Sequence, residues 1–138
     1  MNVVVAEWVE KAESDYRVAL RESQATDPPE PDAVCFHAQQ CVEKYAKAFL
    51  VERGVDFDYT HNMSYVHGRC ASVDPEFNRY KEDFDALDDY SVDIRYPGEK
   101  AAESDARAAL EIVIRLRAFI RSKLGLDQPP TLKGAENL

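Results

Sequence analysis

Apolar side chains recur along most of the chain at intervals of three and four, the period of an α-helix. From Val5 to Gln24 they fall at Trp8, Val9, Ala12, Tyr16, Ala19 and Leu20, with Glu7, Glu10, Lys11, Ser14, Asp15 and Arg17 on the polar side. That spacing predicts a first helix. Pro28, Pro29 and Pro31 cannot continue it, so an extended connection follows. Asp32 is suited to cap a second helix that starts at Ala33 and runs to Arg53, with Gly54 supplying a left-handed residue beyond its end. Its apolar set is Val34, Ala38, Cys41, Val42, Tyr45, Ala48 and Phe49. The set is close to a coiled-coil seam, which predicts the central helix of a bundle and could also serve a partner chain.

Thr60 or Asn62 can start a third, shorter helix through Val73. Asp74-Pro75-Glu76 then combines a cap acceptor, a proline at the first helical position and an acid in the first turn. The helix it predicts carries Phe77, Tyr80, Phe84 and Leu87 and ends near Asp88-Asp89-Tyr90. A turn-rich break spans residues 93–98. The last helix is predicted from Lys100 to Leu124, with Ala102, Ala106, Ala109, Leu110, Val113, Leu116, Ile120 and Leu124 as its apolar set and Gly125 as its stop. The tail from Asp127 to Leu138 is poor in apolar residues and is expected to be disordered, leaving one domain over residues 1–126. No alternating strand pattern, internal repeat or glycine-rich phosphate loop is present. The expectation is an all-α, antiparallel up-and-down bundle of about five helices.

A chain of 138 residues is long enough to bury a core without staples. Its 26 acidic and 17 basic residues give a net charge of -9, which disfavours non-specific binding to nucleic acid and argues against DNA as a partner. The three cysteines, Cys35, Cys41 and Cys70, are odd in number and have no paired spacing, so free buried thiols in a reducing compartment are expected. No apolar run approaches the ~20 residues of a membrane span, and Met1–Ala6 is too short for a signal peptide. A cytoplasmic protein, off the membrane, is the expectation.

Two groups of residues carry candidate chemistry. His37, Gln40, Lys44 and Lys47 are spaced 3, 4 and 3, so they share one ridge of the second helix. An imidazole, an amide and two ammonium groups in a row suit an anion such as phosphate. The plainer alternative is a solvated face held by local pairs such as Glu43 with Lys47. In Arg95-Tyr96-Pro97-Gly98, proline restricts Tyr96 to extended geometry, and a guanidinium beside an aromatic ring suits a phosphate and a base. The plainer alternative there is a turn in which Arg95 pairs with Asp89 or Asp93. His61 reads as a turn or capping residue. His67 and Cys70 lack the further ligands of a structural zinc site, so no metal and no cofactor are expected. No nucleophile–base–acid arrangement is legible, and no catalytic residue is assigned.

The string Cys35-Phe36-His37-Ala38-Gln39-Gln40-Cys41-Val42-Glu43-Lys44, continuing through Ala46-Lys47-Ala48-Phe49-Leu50, resembles the signature helix of the prokaryotic HEPN domain family. Trp8 with Lys11-Ala12-Glu13, Thr60-His61, and Arg95-Tyr96-Pro97 agree in order and spacing, so the resemblance spans Ala6 to Leu124. It implies an up-and-down helical bundle, usually dimeric, often encoded beside or fused to a minimal nucleotidyltransferase. Many members are RNA-cutting toxins or their relatives, and others bind nucleotides. The cutting members share an Arg followed, after four to six residues, by a His, paired across the dimer. This chain departs from that pattern: Lys100, Ala101 and Ala102 occupy the positions after Arg95, and His61 lies one residue too far from Arg53. The resemblance therefore implies a non-catalytic, homodimeric binding module, with a nucleotide or a minimal nucleotidyltransferase as partner, in the setting of a toxin–antitoxin pair. Arg95, Tyr96, His37, Gln40, Lys44 and Lys47 are expected to border one cleft. Two alternatives stand beside it: an endoribonuclease toxin with a degenerate or relocated active site acting on RNA, and a purely structural helical interaction domain.

Overall fold

The computed structural model describes residues 1–90 and 97–126. Five α-helices form: α1 (Val3–Ser23), α2 (Pro31–Glu52), α3 (Met63–Val73), α4 (Lys81–Asp88) and α5 (Glu103–Lys123). A 3-10 helix, Pro75–Tyr80, precedes α4, and there is no strand among the described residues. The expected all-α helical bundle is the architecture found.

Several ends differ from the sequence expectation for local reasons. Asn2 caps α1 by accepting from the Val5 N–H at 2.8 Å, so the helix starts two residues earlier than its apolar stripe. Pro31, not Ala33, opens α2. Its fixed φ suits the first helical position, and its missing N–H would have had no intrahelical partner there. Asp32 consequently lies inside the first turn, and its carboxylate accepts from the backbone N–H of Ala101 at 2.6 Å, tying the start of α2 to the approach to α5. Gly54 does take the left-handed conformation, at φ 69°, and Val55 bonds back to the Leu50 carbonyl at 2.9 Å. The fourth predicted helix divides, the segment behind the Asp74 cap being wound as 3-10 before α4 begins. Ala102 precedes α5 with no side-chain acceptor; Asp105 reaches back to its N–H at 2.9 Å instead.

Contacts fix the directions of the helices. Asp15 meets His37 and Lys44, while Trp8 meets Lys47, so α1 runs opposite to α2. Gln39 meets Met63 and Ala46 meets Cys70, so α3 runs in the same sense as α2. The segment between them, residues 53–62, returns along α2 to make this possible: Thr60 lies beside Lys47 and His61 beside Glu43. Arg117 meets Glu13 while the end of α1 at Glu22 lies by the start of α5 at Glu103, and Arg115 meets Asp83 while Lys123 meets Glu76 ahead of α4, so α5 runs opposite to both α1 and α4.

The predicted seam of α2 is entirely buried, and Cys35, Ala46 and Leu50 are buried as well. A helix with so much buried surface, most of it apolar, belongs at the centre of a bundle. Ala12 and Ala19, both fully buried, let α1 lie close upon it. On the far side Phe77 packs tilted against Phe49 and edge-on against Phe119, with ring centroids at 4.8 and 5.0 Å, joining the 3-10 helix to α2 and α5.

Candidate functional site

Three of the four predicted residues of α2 are held by two buried carboxylates, and Gln40 is held by Gln39. Asp15 of α1 is only 8% exposed. Its two oxygens accept from His37 Nδ1 at 2.8 Å and from Lys44 Nζ at 2.6 Å. The ionised carboxylate places the imidazole proton on Nδ1, leaving Nε2 with no partner among the described residues. His37 and Lys44 each keep about a quarter of their side-chain surface exposed, so both side chains reach solvent beside Asp15.

Glu43 is the second centre. It accepts from Lys47 Nζ at 2.7 Å, from Gln39 Nε2 at 2.8 Å and from His61 Nδ1 at 3.0 Å. Lys47 also donates to the Thr60 carbonyl at 2.8 Å, and its ammonium lies 5.8 Å from the ring centroids of both Trp8 and Phe57. A charge withdrawn from water needs such partners. Gln40 donates to Gln39 Oε1 at 2.8 Å, which links the accessible ridge to this buried hub.

The predicted ridge thus divides in depth. His37, Gln40 and Lys44 form a partly exposed strip, and Lys47 lies beneath it at 3% exposure. Arg95 and Tyr96, with the rest of residues 91–96, lie outside the described residues. Asp15, predicted on the wet side of α1, is buried instead, because His37 and Lys44 of α2 sit opposite it and donate to it. Gln39 was also missed, and Glu43, expected only as the partner of Lys47 on a solvated face, is that partner but buried. His61 bonds to Glu43, while Asn62 is the residue that caps α3, accepting from Tyr65 N–H at 2.8 Å.

Other groups of chemical interest are occupied structurally. His67 Nε2 bonds to the Phe77 carbonyl at 2.8 Å, and no three His, Cys, Asp or Glu residues are grouped to hold a metal among the described residues. All three cysteines are free and buried. Burial pushes the Cys35 thiol up to about 12, reinforced by Asp105 and Asp32, and raises Cys41 and Cys70 strongly too. None is a thiolate nucleophile near neutral pH. Glu13 accepts a two-pronged contact from Arg117 at 2.7 and 2.9 Å and a hydrogen bond from Tyr45, whose hydroxyl also receives Arg121 at 2.9 Å. That cluster joins α1, α2 and α5. A cleft of about 400 Å³ lies elsewhere, between the end of α1 and the starts of α2 and α5, lined by Glu22, Glu30, Val34, Glu103, Arg107 and Leu110 among others. It contains no predicted site residue.

No helix among the described residues is long and apolar enough to cross a membrane. Neither the curated proteins nor the solved structures give a match to this chain. The family model for the HEPN domain does match, over residues 5–123, which takes in all five helices and the Asp15–His37–Lys44 and Glu43–Lys47–His61 groups. The chain belongs to the HEPN domain family.

Proposed function

We propose that this HEPN domain is a non-catalytic binding module that takes a phosphate-bearing ligand on the strip formed by His37, Gln40 and Lys44. One observation carries the reading: a single carboxylate, Asp15, holds an imidazole and an ammonium side by side on two side chains that both stay partly exposed. There Lys44 offsets Asp15 and Lys47 offsets Glu43, on a protein whose net charge is -9. Lys47 supports the strip from below through Glu43. Arg95 and Tyr96 belong to the same proposal on sequence grounds, as a phosphate contact and an aromatic surface. The module works as a homodimer beside a minimal nucleotidyltransferase, the pairing implied by the family resemblance, in a toxin–antitoxin setting. Calorimetric titration with adenosine 5′-monophosphate (AMP) tests the ligand site. Wild type is expected to release saturable heat, and Lys44→Ala to bind about tenfold more weakly, the scale of one charge-assisted hydrogen bond. Equal affinity in the two proteins would remove the strip from the account.

A second reading rests on His37 itself. An imidazole oriented at Nδ1 by a carboxylate, with Nε2 unpartnered among the described residues, has the layout of a general base. Cleavage of RNA by the purified protein, abolished by His37→Ala, would replace the non-catalytic reading with the endoribonuclease one.

A further inference from the structure

The cleft between the end of α1 and the starts of α2 and α5 is used by neither reading above, and it shares no lining residue with the strip. Its volume, about 400 Å³, lies within the roughly 300–1,000 Å³ of ligand pockets. Val34, 1% exposed, and Leu110, partly buried, give it an apolar part. Glu22, Glu30, Glu103 and Arg107 give it charge, three carboxylates against one guanidinium. None of these four side chains has a hydrogen-bond or ion-pair partner among the described residues. Glu13, Asp15 and Asp83, by contrast, are each met by an arginine or lysine of another helix. One wall of the cleft is the connection from α1 to α2, through Thr26 and Pro29. Residues 26–29 make no backbone hydrogen bond among the described residues. Pro28 and Pro29 have no N–H, so this wall offers mainly carbonyl acceptors.

We propose that this cleft receives a basic, apolar peptide segment of a partner protein, a lysine or arginine next to a side chain of leucine size. Each part of the lining matches one part of that occupant. Val34 and Leu110 cover the apolar side chain, which leaves water for a surface of its own kind. The three carboxylates, opposed by a single guanidinium, attract the cation. They also repel a phosphate, so the occupant is not the ligand of the strip, and this inference does not rest on that site. The carbonyls of the wall accept from the N–H groups of an extended main chain, the source of affinity in peptide recognition. Arg107 has only donors and meets a main-chain carbonyl of the segment. A free polyamine would satisfy the carboxylates and leave the apolar part wet. The net charge of -9 favours the approach of a basic segment over a neutral one.

The test titrates the full chain at about 0.15 M salt, where attraction to the net charge is screened beyond roughly 8 Å. Three probes are used: a blocked pentapeptide alternating lysine and leucine, its counterpart of equal charge with serine for leucine, and spermidine. Calorimetric heat and amide NMR shifts are recorded for each. The leucine peptide is expected to bind with its largest shifts at Thr26, Val34 and Leu110. The serine peptide and spermidine are expected to bind roughly fivefold more weakly or less, for want of apolar burial. The double variant Glu22→Gln with Glu103→Gln removes one charge from the end of α1 and one from the start of α5, so its effects on the two helix dipoles offset each other. It is expected to keep the far-UV circular dichroism of wild type and to bind the leucine peptide about tenfold more weakly, the scale of two accessible charge pairs. Equal binding of the three probes, or shifts spread over acidic surface away from the cleft, would reduce the effect to general charge attraction and overturn the proposal. Failure of the leucine peptide to bind, or undiminished affinity in the double variant, would overturn it as well.

Discussion

Glu43 and Lys47 are one turn apart on α2, and their side chains are 3% and 4% exposed. Such a pair differs from Lys81 with Asp85, which has the same spacing but side chains 59% and 43% exposed. In water the two charges of an exposed pair gain little over their hydration, and breaking it costs at most ~0.5 kcal/mol. The buried pair has already lost its hydration. Removing one partner strands the other, at about 3–5 kcal/mol. Glu43 also receives Gln39 and His61, so its loss unsatisfies several donors at once. Glu43→Ala is therefore expected to lower the urea midpoint severely, whereas Asp85→Ala changes it little. The double variant Glu43→Ala with Lys47→Met is expected to recover much of the loss, since a flexible apolar chain of similar length replaces the stranded ammonium. Urea unfolding of the four proteins separates these outcomes; a Glu43→Ala midpoint within error of wild type would show that water reaches Lys47 freely.

At the scale of the helices, α5 is fastened to α1 by the fork of Arg117 on Glu13. Burial pushes the Glu13 carboxyl up, but hydrogen bonds from Arg117 and Tyr45, with the charges of Arg117 and Arg121, outweigh it and hold the group below its ordinary 4.5. A carboxyl depressed in the folded state contributes stability above its unfolded pKa and loses it as pH falls towards the folded value. Acidification below about 4.5 is thus expected to loosen the α1–α5 joint, and Glu13→Gln to be less stable at neutral pH while sensing acid less steeply. Thermal melts from pH 3 to 7 check the slope. This joint was not legible in the sequence, and nor was the burial of Asp15 and Glu43. Periodicity sorts residues of one helix into wet and dry faces, but a charged residue is dry only when another helix brings it a partner. The helices themselves were legible, because α2's seam and the Gly54 stop are properties of a single stretch. Their starts were less so: Asn2 and Pro31 open α1 and α2 by backbone chemistry that the apolar stripe does not record.

Across the whole molecule, one helix carries the cooperativity. Tyr45, Phe49 and Leu50 of α2 are at most 1% exposed, and every other helix packs on that core. α1 therefore has no apolar partner layer of its own, and α5 shares its buried face with both α2 and the Phe77 cluster. A bundle built this way should not shed a helix ahead of the rest, because exposing α2 on one side uncovers aromatic and aliphatic surface at about 25 cal/mol per Å². The sense of the helices reinforces this. Residues 53–62 double back along α2, so α3 is tied to it at both ends by Gln39 with Met63 and Ala46 with Cys70. The expectation is a two-state urea transition in which Trp8 emission, reporting α1 near Lys47, and far-UV circular dichroism, reporting all helices, superimpose. Phe77→Ala, which opens the centre of the aromatic cluster at ~3–5 kcal/mol, should move both curves together. If the Trp8 transition came first and Phe77→Ala shifted only the later one, α1 would be a separable cover on a core of α2 to α5. The ligand strip between α1 and α2 would then open without global unfolding.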